Sequence, residues 1–233
     1  MTFTERLEWI KKFRERFERE NELLYRVEPS WHACKKCKDG YCCAHKTYAV
    51  EKCSYNPLMI EEWWIMLEYV KTNFNSAQLQ QLYQNILSPR PDCIFRFGSR
   101  CEIHPARAWS CRIHPFAISY HKDPLLFPVG EFALPSCPSF ATIFKIKQDS
   151  TVVQQPQPLE THPEGTLVKI KLHKRKPLWV IDISSFIKDY TAFVSTLPRR
   201  TASDFDGLLE MARQIGREND LLPRYISLKF NKQ

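Results

Sequence analysis

Glycine is scarce here, with six in 233 residues. So few glycines argue against a Gly-rich phosphate loop, and with it a Rossmann or P-loop cofactor site. No Ser–His–Asp order, HExxH helix or DxDxDG calcium loop is present, which removes those familiar catalytic and calcium-binding readings. The chain also lacks any run of about eighteen apolar residues, so no membrane-spanning helix is expected. Its opening stretch, MTFTERLEWIKKFRERFERE, is charged throughout and holds no apolar block of signal-peptide type. A cytoplasmic protein with no membrane partner is therefore expected. In that reducing compartment, clustered cysteines serve as metal ligands more often than as disulfides.

Core-forming material is plentiful. Hydrophobic residues make up 43% and charged residues 26%, a globular composition with enough Trp, Phe and Tyr to pack without staples. The length suits a single domain spanning 1–233. Residues 1–28 are an N-terminal helical stretch, 31–140 the cysteine-bearing region, and 165–233 a mixed C-terminal extension. The formal charge of +8 permits an anionic partner such as nucleic acid without requiring one. The densest basic run is KIKLHKRK, Lys169–Lys176. There Ile170 and Leu172 alternate with Lys169 and Lys171, the period of a half-buried strand, so a solvated strand face accounts for the charge.

Phe3, Leu7, Ile10, Phe13, Phe17 and Leu24 recur at three- and four-residue steps, which predicts an amphipathic helix over Thr4–Tyr25 laid on a core. A second helix is expected from Asn56-Pro57, with Ile60, Trp63, Trp64 and Leu67 on its inner face. Ser76 is read as the cap of a third, SAQLQQLYQNIL, stopped by Pro89 and Pro91. Beyond Cys93 the chain turns irregular, with short strands expected at FAISYH and TIFKIK. QQPQPLETHPEG reads as a loop or long hairpin connection. Strands near TLVKIKL and LWVIDI follow, then helices around Ser184–Leu197 and Ser203–Arg217, and a last strand at RYISLKF. The expected class is α+β: a helical N-terminal part, an irregular cysteine-rich centre with short strands, and a mixed C-terminal part.

Nine cysteines stand at 34, 37, 42, 43, 53, 93, 101, 111 and 137. Cys34 and Cys37 form a CxxC, the spacing at which a tight turn aims two thiolates at one ion. Gly40, after Asp39, lets the chain fold back toward the same point. Cys42 and Cys43 are adjacent, and neighbouring side chains of an extended chain point to opposite sides. Either one of the two is structural or the site holds more than one metal. There is no second CxxC knuckle of a zinc ribbon, and neither ferredoxin spacing occurs. The CxxxCxxC signature of radical S-adenosylmethionine enzymes is missing too. Cys53, isolated from the others, reads as a core thiol.

CKKCKDGYCC, followed by CIFRFGSRCEIHPARAWSCRIHPF and by Cys137-Pro138, resembles the CxxCxxxCC cysteine-cluster family of YkgJ type. Its members are described as zinc- or iron-chelating or iron–sulfur proteins. Cys101, Ile103, Arg107, Cys111, Arg112 and Pro115 match the second half of the family pattern. His104 stands where tyrosine is usual and Ala108 where proline is usual, and the first cluster carries one extra residue before its double cysteine. The resemblance covers roughly Cys34 to Pro138. It implies a site drawing on Cys34, Cys37, Cys42, Cys43, Cys93, Cys101, Cys111 and Cys137. Relatives of flagellin lysine N-methylases in the family add group transfer to the activities it implies.

Lys35, Lys36, Lys38, Arg96, Arg100, Arg107 and Arg112 crowd these segments, and cations there lower thiol pKa and offset thiolate charge. Arg107 and Arg112, inside the matched motif, are the candidates for outer contacts to the metal site, and His104 for a proton donor or ligand. His32, His45 and His114 also neighbour the cysteines. The expectation is thus an iron–sulfur cluster, first as 4Fe–4S, with zinc or iron ions as the alternative. One functional class is a redox or group-transfer centre near an unidentified substrate. The other is a structural-zinc module that binds an acidic protein partner or RNA.

Overall fold

The computed structural model describes residues 1–31, 59–88, 93–98, 100–113, 117–118, 158–170, 176–197, 201–216 and 219–230. In chain order its elements begin with helix α1 (Phe3–Val27), a 3-10 turn (Pro29–Trp31), α2 (Ile60–Asn73), α3 (Ser76–Leu87) and strands β1 (Arg96–Phe97) and β2 (Arg100–Cys101). A second 3-10 turn (His104–Ala106), α4 (Trp109–Ile113), β3 (Ala117–Ile118), β4 (Pro158–Thr161), β5 (Leu167–Ile170) and β6 (Leu178–Asp182) come next. Helices α5 (Ser184–Thr196), α6 (Ala202–Ile215) and α7 (Leu221–Phe230) complete the set. The fold is α+β, as its residue patterns predict. The chain forms two compact units, each assembled from separated stretches: Met1–Ile10, Cys43–Arg112 and Leu197–Gln233 in one, Lys11–Cys42 and Ile113–Thr196 in the other.

The first unit is helical and packs around α2. Ile60, Trp63, Leu67 and Val70 recur at helical steps, and with Met66 they meet Leu82 of α3, Leu208 and Ala212 of α6, and Leu222 and Ile226 of α7. The Trp63 ring lies 6.0 Å from Phe95 and 6.1 Å from Tyr225, while half-buried Trp64 makes an edge contact with Phe3 at 5.1 Å. Helix α3 is capped by Asn75 rather than by Ser76: Asn75 Oδ1 accepts from Gln78 N and the Gln78 side chain accepts from Asn75 N, both at 3.0 Å. Asn56 and Pro57 lie outside the described residues. Met59 stands at the head of α2 without a side-chain cap.

The expected last strand, RYISLKF, is the helix α7. Its alternation of Ile226, Leu228 and Phe230 mimics a strand, yet Leu228 is 56% exposed while Leu222 and Ile226 are fully buried. That is the spacing of a helical face, and Pro223 in the first turn favours a helix start.

In the second unit the sheet order is β3-β6-β5-β4, with β3 parallel to β6 and the other pairs antiparallel. Part of the polar stretch before Gly165 is therefore strand β4, hairpinned onto β5. Lys169 and Ile170 lie in β5 as the alternation predicts, while Lys171–Arg175 fall outside the described residues, as do TIFKIK and all of FAISYH but Ala117 and Ile118. Phe13 and Phe17 of α1 meet Phe186 of α5 edge-on, at 5.8 and 5.4 Å. Among the described residues, β3 pairs with Ile181 and Asp182. Trp31 and Glu28 also meet β6: Trp31 Nε1 donates to Trp179 O at 2.7 Å, and Trp179 N donates to Glu28 Oε2 at 3.3 Å. Side chains thus satisfy two backbone groups of β6.

Candidate metal centre

Three of the eight candidate cysteine ligands fall within the described residues: Cys93 just before a short hairpin, Cys101 on its second strand and Cys111 in the helix that follows. Arg96 pairs with Cys101 and Phe97 with Arg100 across β1 and β2. Two residues, Gly98 and Ser99, connect the strands, and Gly98 has a φ of 61°, the left-handed conformation that so tight a connection requires. Gly-Ser between FRF and RC is the signal in the sequence that marks this hairpin. A further turn precedes the hairpin, with Arg96 N donating to Cys93 O at 3.0 Å. Cys93 and Cys101, both half-buried, lie against the core around Trp63. Ile94, Phe95 and Ile103, each 5% exposed or less, anchor the hairpin in that core.

Asn85 of α3 holds the hairpin from outside, its side-chain amide donating to the carbonyls of Ile94 and Arg96 at 2.9 Å each. Gln78 reaches Glu102 at 3.2 Å.

The chain then passes through the turn at His104 into α4, which carries Cys111. His104 is exposed, and its Nε2 accepts from Arg107 Nη1. Arg112 is 4% exposed, and its guanidinium points back into the turn: Nε donates to Arg107 O at 2.9 Å and Nη2 to Pro105 O at 2.5 Å. Arg112 thereby braces the segment that bears Cys111, which itself is exposed. Arg96 and Arg107 are half-buried and Arg100 exposed, so cationic side chains do accompany the hairpin and the turn after it.

Cys34, Cys37, Cys42, Cys43 and Cys137 lie outside the described residues, as do Cys53, His32, His45, His114 and Lys35, Lys36 and Lys38. Among the described residues no group of three or more His, Cys, Asp or Glu converges as a metal site. No helix among them is long and apolar enough to cross a membrane. No protein-family model matches the chain, and neither a curated protein nor a solved structure matches it.

Proposed function

We propose that the chain is a cysteine-rich metalloprotein whose thiolates hold an iron–sulfur cluster or an iron or zinc centre. The ligands come from Cys34, Cys37, Cys42, Cys43, Cys93, Cys101, Cys111 and Cys137. The observation that carries this reading is the CxxC followed by a double cysteine within ten residues, CKKCKDGYCC, in a chain with three more cysteines between Cys93 and Cys111.

The exposure of the described cysteines supports it. A thiol kept only for packing is among the most buried of side chains, and a buried apolar thiol is inert. Cys93 and Cys101 are half-buried and Cys111 exposed, so all three keep access to a metal ion. When bound, an iron–sulfur cluster would supply electron transfer or group-transfer chemistry, whereas a closed zinc site would supply rigidity alone. His104 and Arg107, on the surface of the turn before Cys111, are the candidates to meet a substrate.

Purification without oxygen, followed by a visible spectrum and assays for iron, zinc and sulfide, tests the reading. Iron and sulfide with a brown colour are expected. Stoichiometric zinc in a colourless protein, indifferent to air, selects the structural-zinc module instead. Absence of iron, zinc and sulfide from protein prepared both with and without oxygen overturns the proposal.

A further inference from the structure

Glu62 is a buried carboxylate that the reading above leaves without a role. It is 3% exposed, on the face of α2 that otherwise inserts Ile60, Trp63, Met66 and Leu67 into the core. A carboxylate is costly to bury unless it is hydrogen-bonded. Glu62 Oε1 accepts from the backbone N–H of Trp109 at 2.6 Å, across 47 residues of sequence. Trp109 is the first residue of α4 and is itself 3% exposed. A five-residue helix has too few internal hydrogen bonds to hold its own shape, so outside partners decide where it lies.

Those partners grip α4 on both sides of Cys111. Two residues before the cysteine stands the amide bound by Glu62. One residue after it stands Arg112, tied to the carbonyls of Pro105 and Arg107. Between two buried anchors the thiol faces outward. The anchor is firm at its other end as well, because the adjacent Glu61 is locked by Arg6 at 2.5 Å in the first turn of α2. An apolar residue at position 62 would fill the same space and leave the Trp109 amide without this acceptor.

We propose that Glu62 is a positioning residue that fixes the Cys111 thiol for metal capture, acting through the Trp109 amide. This rests on the metalloprotein reading for its purpose, but the positioning can be read without metal. The full-length chain is compared with Glu62→Leu, Glu62→Gln and, as a control for destabilisation alone, Leu82→Ala.

Two readouts are taken at a temperature where all four are folded. The first is zinc affinity, by competition with a chromophoric chelator. The second is the rate of Cys111 alkylation by iodoacetamide in metal-free protein, resolved by peptide mass. Glu62→Leu is expected to bind zinc about 10–100-fold more weakly, the usual cost of losing an outer contact to a ligand. Its Cys111 alkylation rate is expected to shift about threefold or more. Glu62→Gln, which keeps an acceptor for the amide, restores most of both, and Leu82→Ala leaves both near wild type. Wild-type zinc affinity and alkylation in Glu62→Leu overturn the proposal. Zinc binding absent from every variant, wild type included, counts against the zinc form of the metalloprotein reading. The alkylation rates then decide the positioning of Cys111 by themselves, a shift upholding it and an unchanged rate ending it.

Discussion

Gly216 ends α6 where two groups crowd its Cα. A Cβ added there would sit 2.7 Å from the Tyr83 hydroxyl oxygen and 2.8 Å from the backbone carbonyl of Asn219. Neither neighbour is the free end of a flexible chain, so Gly216→Ala must displace the start of α7 or the Tyr83 ring. A loss of about 1–3 kcal/mol is expected from overpacking of this kind, measured by urea denaturation. Tyr83 itself has a buried hydroxyl with no hydrogen-bond partner among the described residues, and burial raises its pKa above the usual 10.0. The folded chain therefore holds this proton more tightly than the unfolded chain does. The resulting stabilisation is complete below about pH 10 and fades as the pH climbs through the raised folded pKa. Tyr83→Phe removes that dependence. Denaturation midpoints followed from pH 9 to 11 should fall less steeply in Tyr83→Phe than in the wild type, and parallel curves would refute the assignment.

Helix α1 opens with an ion network that ties three elements of one unit together. Arg6 donates to Glu61 of α2 at 2.5 Å and to Asp204 of α6 at 2.6 Å, with all three side chains at most 11% exposed. Burial works against the charged guanidinium, but the hydrogen bonds to Glu61 and Asp204 outweigh it and hold the Arg6 pKa above its ordinary value. Removing one partner of such a set is worse than removing all, because the remaining charges stay buried. Arg6→Ala should thus cost about 3–5 kcal/mol, while Arg6→Met combined with Glu61→Leu and Asp204→Leu should cost much less. A triple variant as unstable as Arg6→Ala would contradict this account.

The same elements show which patterns carried information. α1, α2, α5 and α6 are legible because their apolar residues follow the helical period over three or more turns. α7 reads as a strand in the sequence because ten residues hold too few turns to separate that period from alternation, and only its packing decides between them. Asn75 and Ser76 are both good caps, so residue type alone leaves the start of α3 open by one position. Gln78 at the third helical position closes a capping box with Asn75, and Asn75→Ala should therefore lose about 1 kcal/mol of stability to thermal melting, against little for Ser76→Ala.

For the molecule as a whole, the cysteine spacing is written locally and could be read directly, while what supports it is written in distant residues. Nothing in the short-range pattern announces that Met1–Ile10 belongs with Leu197–Gln233, or that Glu62 reaches the amide before Cys111. Such contacts depend on folding that no window of ten residues contains. If thiolates from CKKCKDGYCC and from the Cys93–Cys137 stretch share a metal centre, that centre ties together segments far apart in sequence. A ligand that binds only the folded chain stabilises it in proportion to the logarithm of its concentration over the dissociation constant, about 2.7 kcal/mol at a hundredfold excess. For a chain of this length that corresponds to about 5–10 °C of melting temperature. Anaerobic protein stripped by a chelator should melt lower by that amount and recover when metal is restored. Cys34→Ser with Cys37→Ser should lose the metal and melt at the stripped temperature with or without it. A double variant that keeps both its metal and its wild-type melting temperature would remove Cys34 and Cys37 from the ligand set and leave any site to the remaining cysteines.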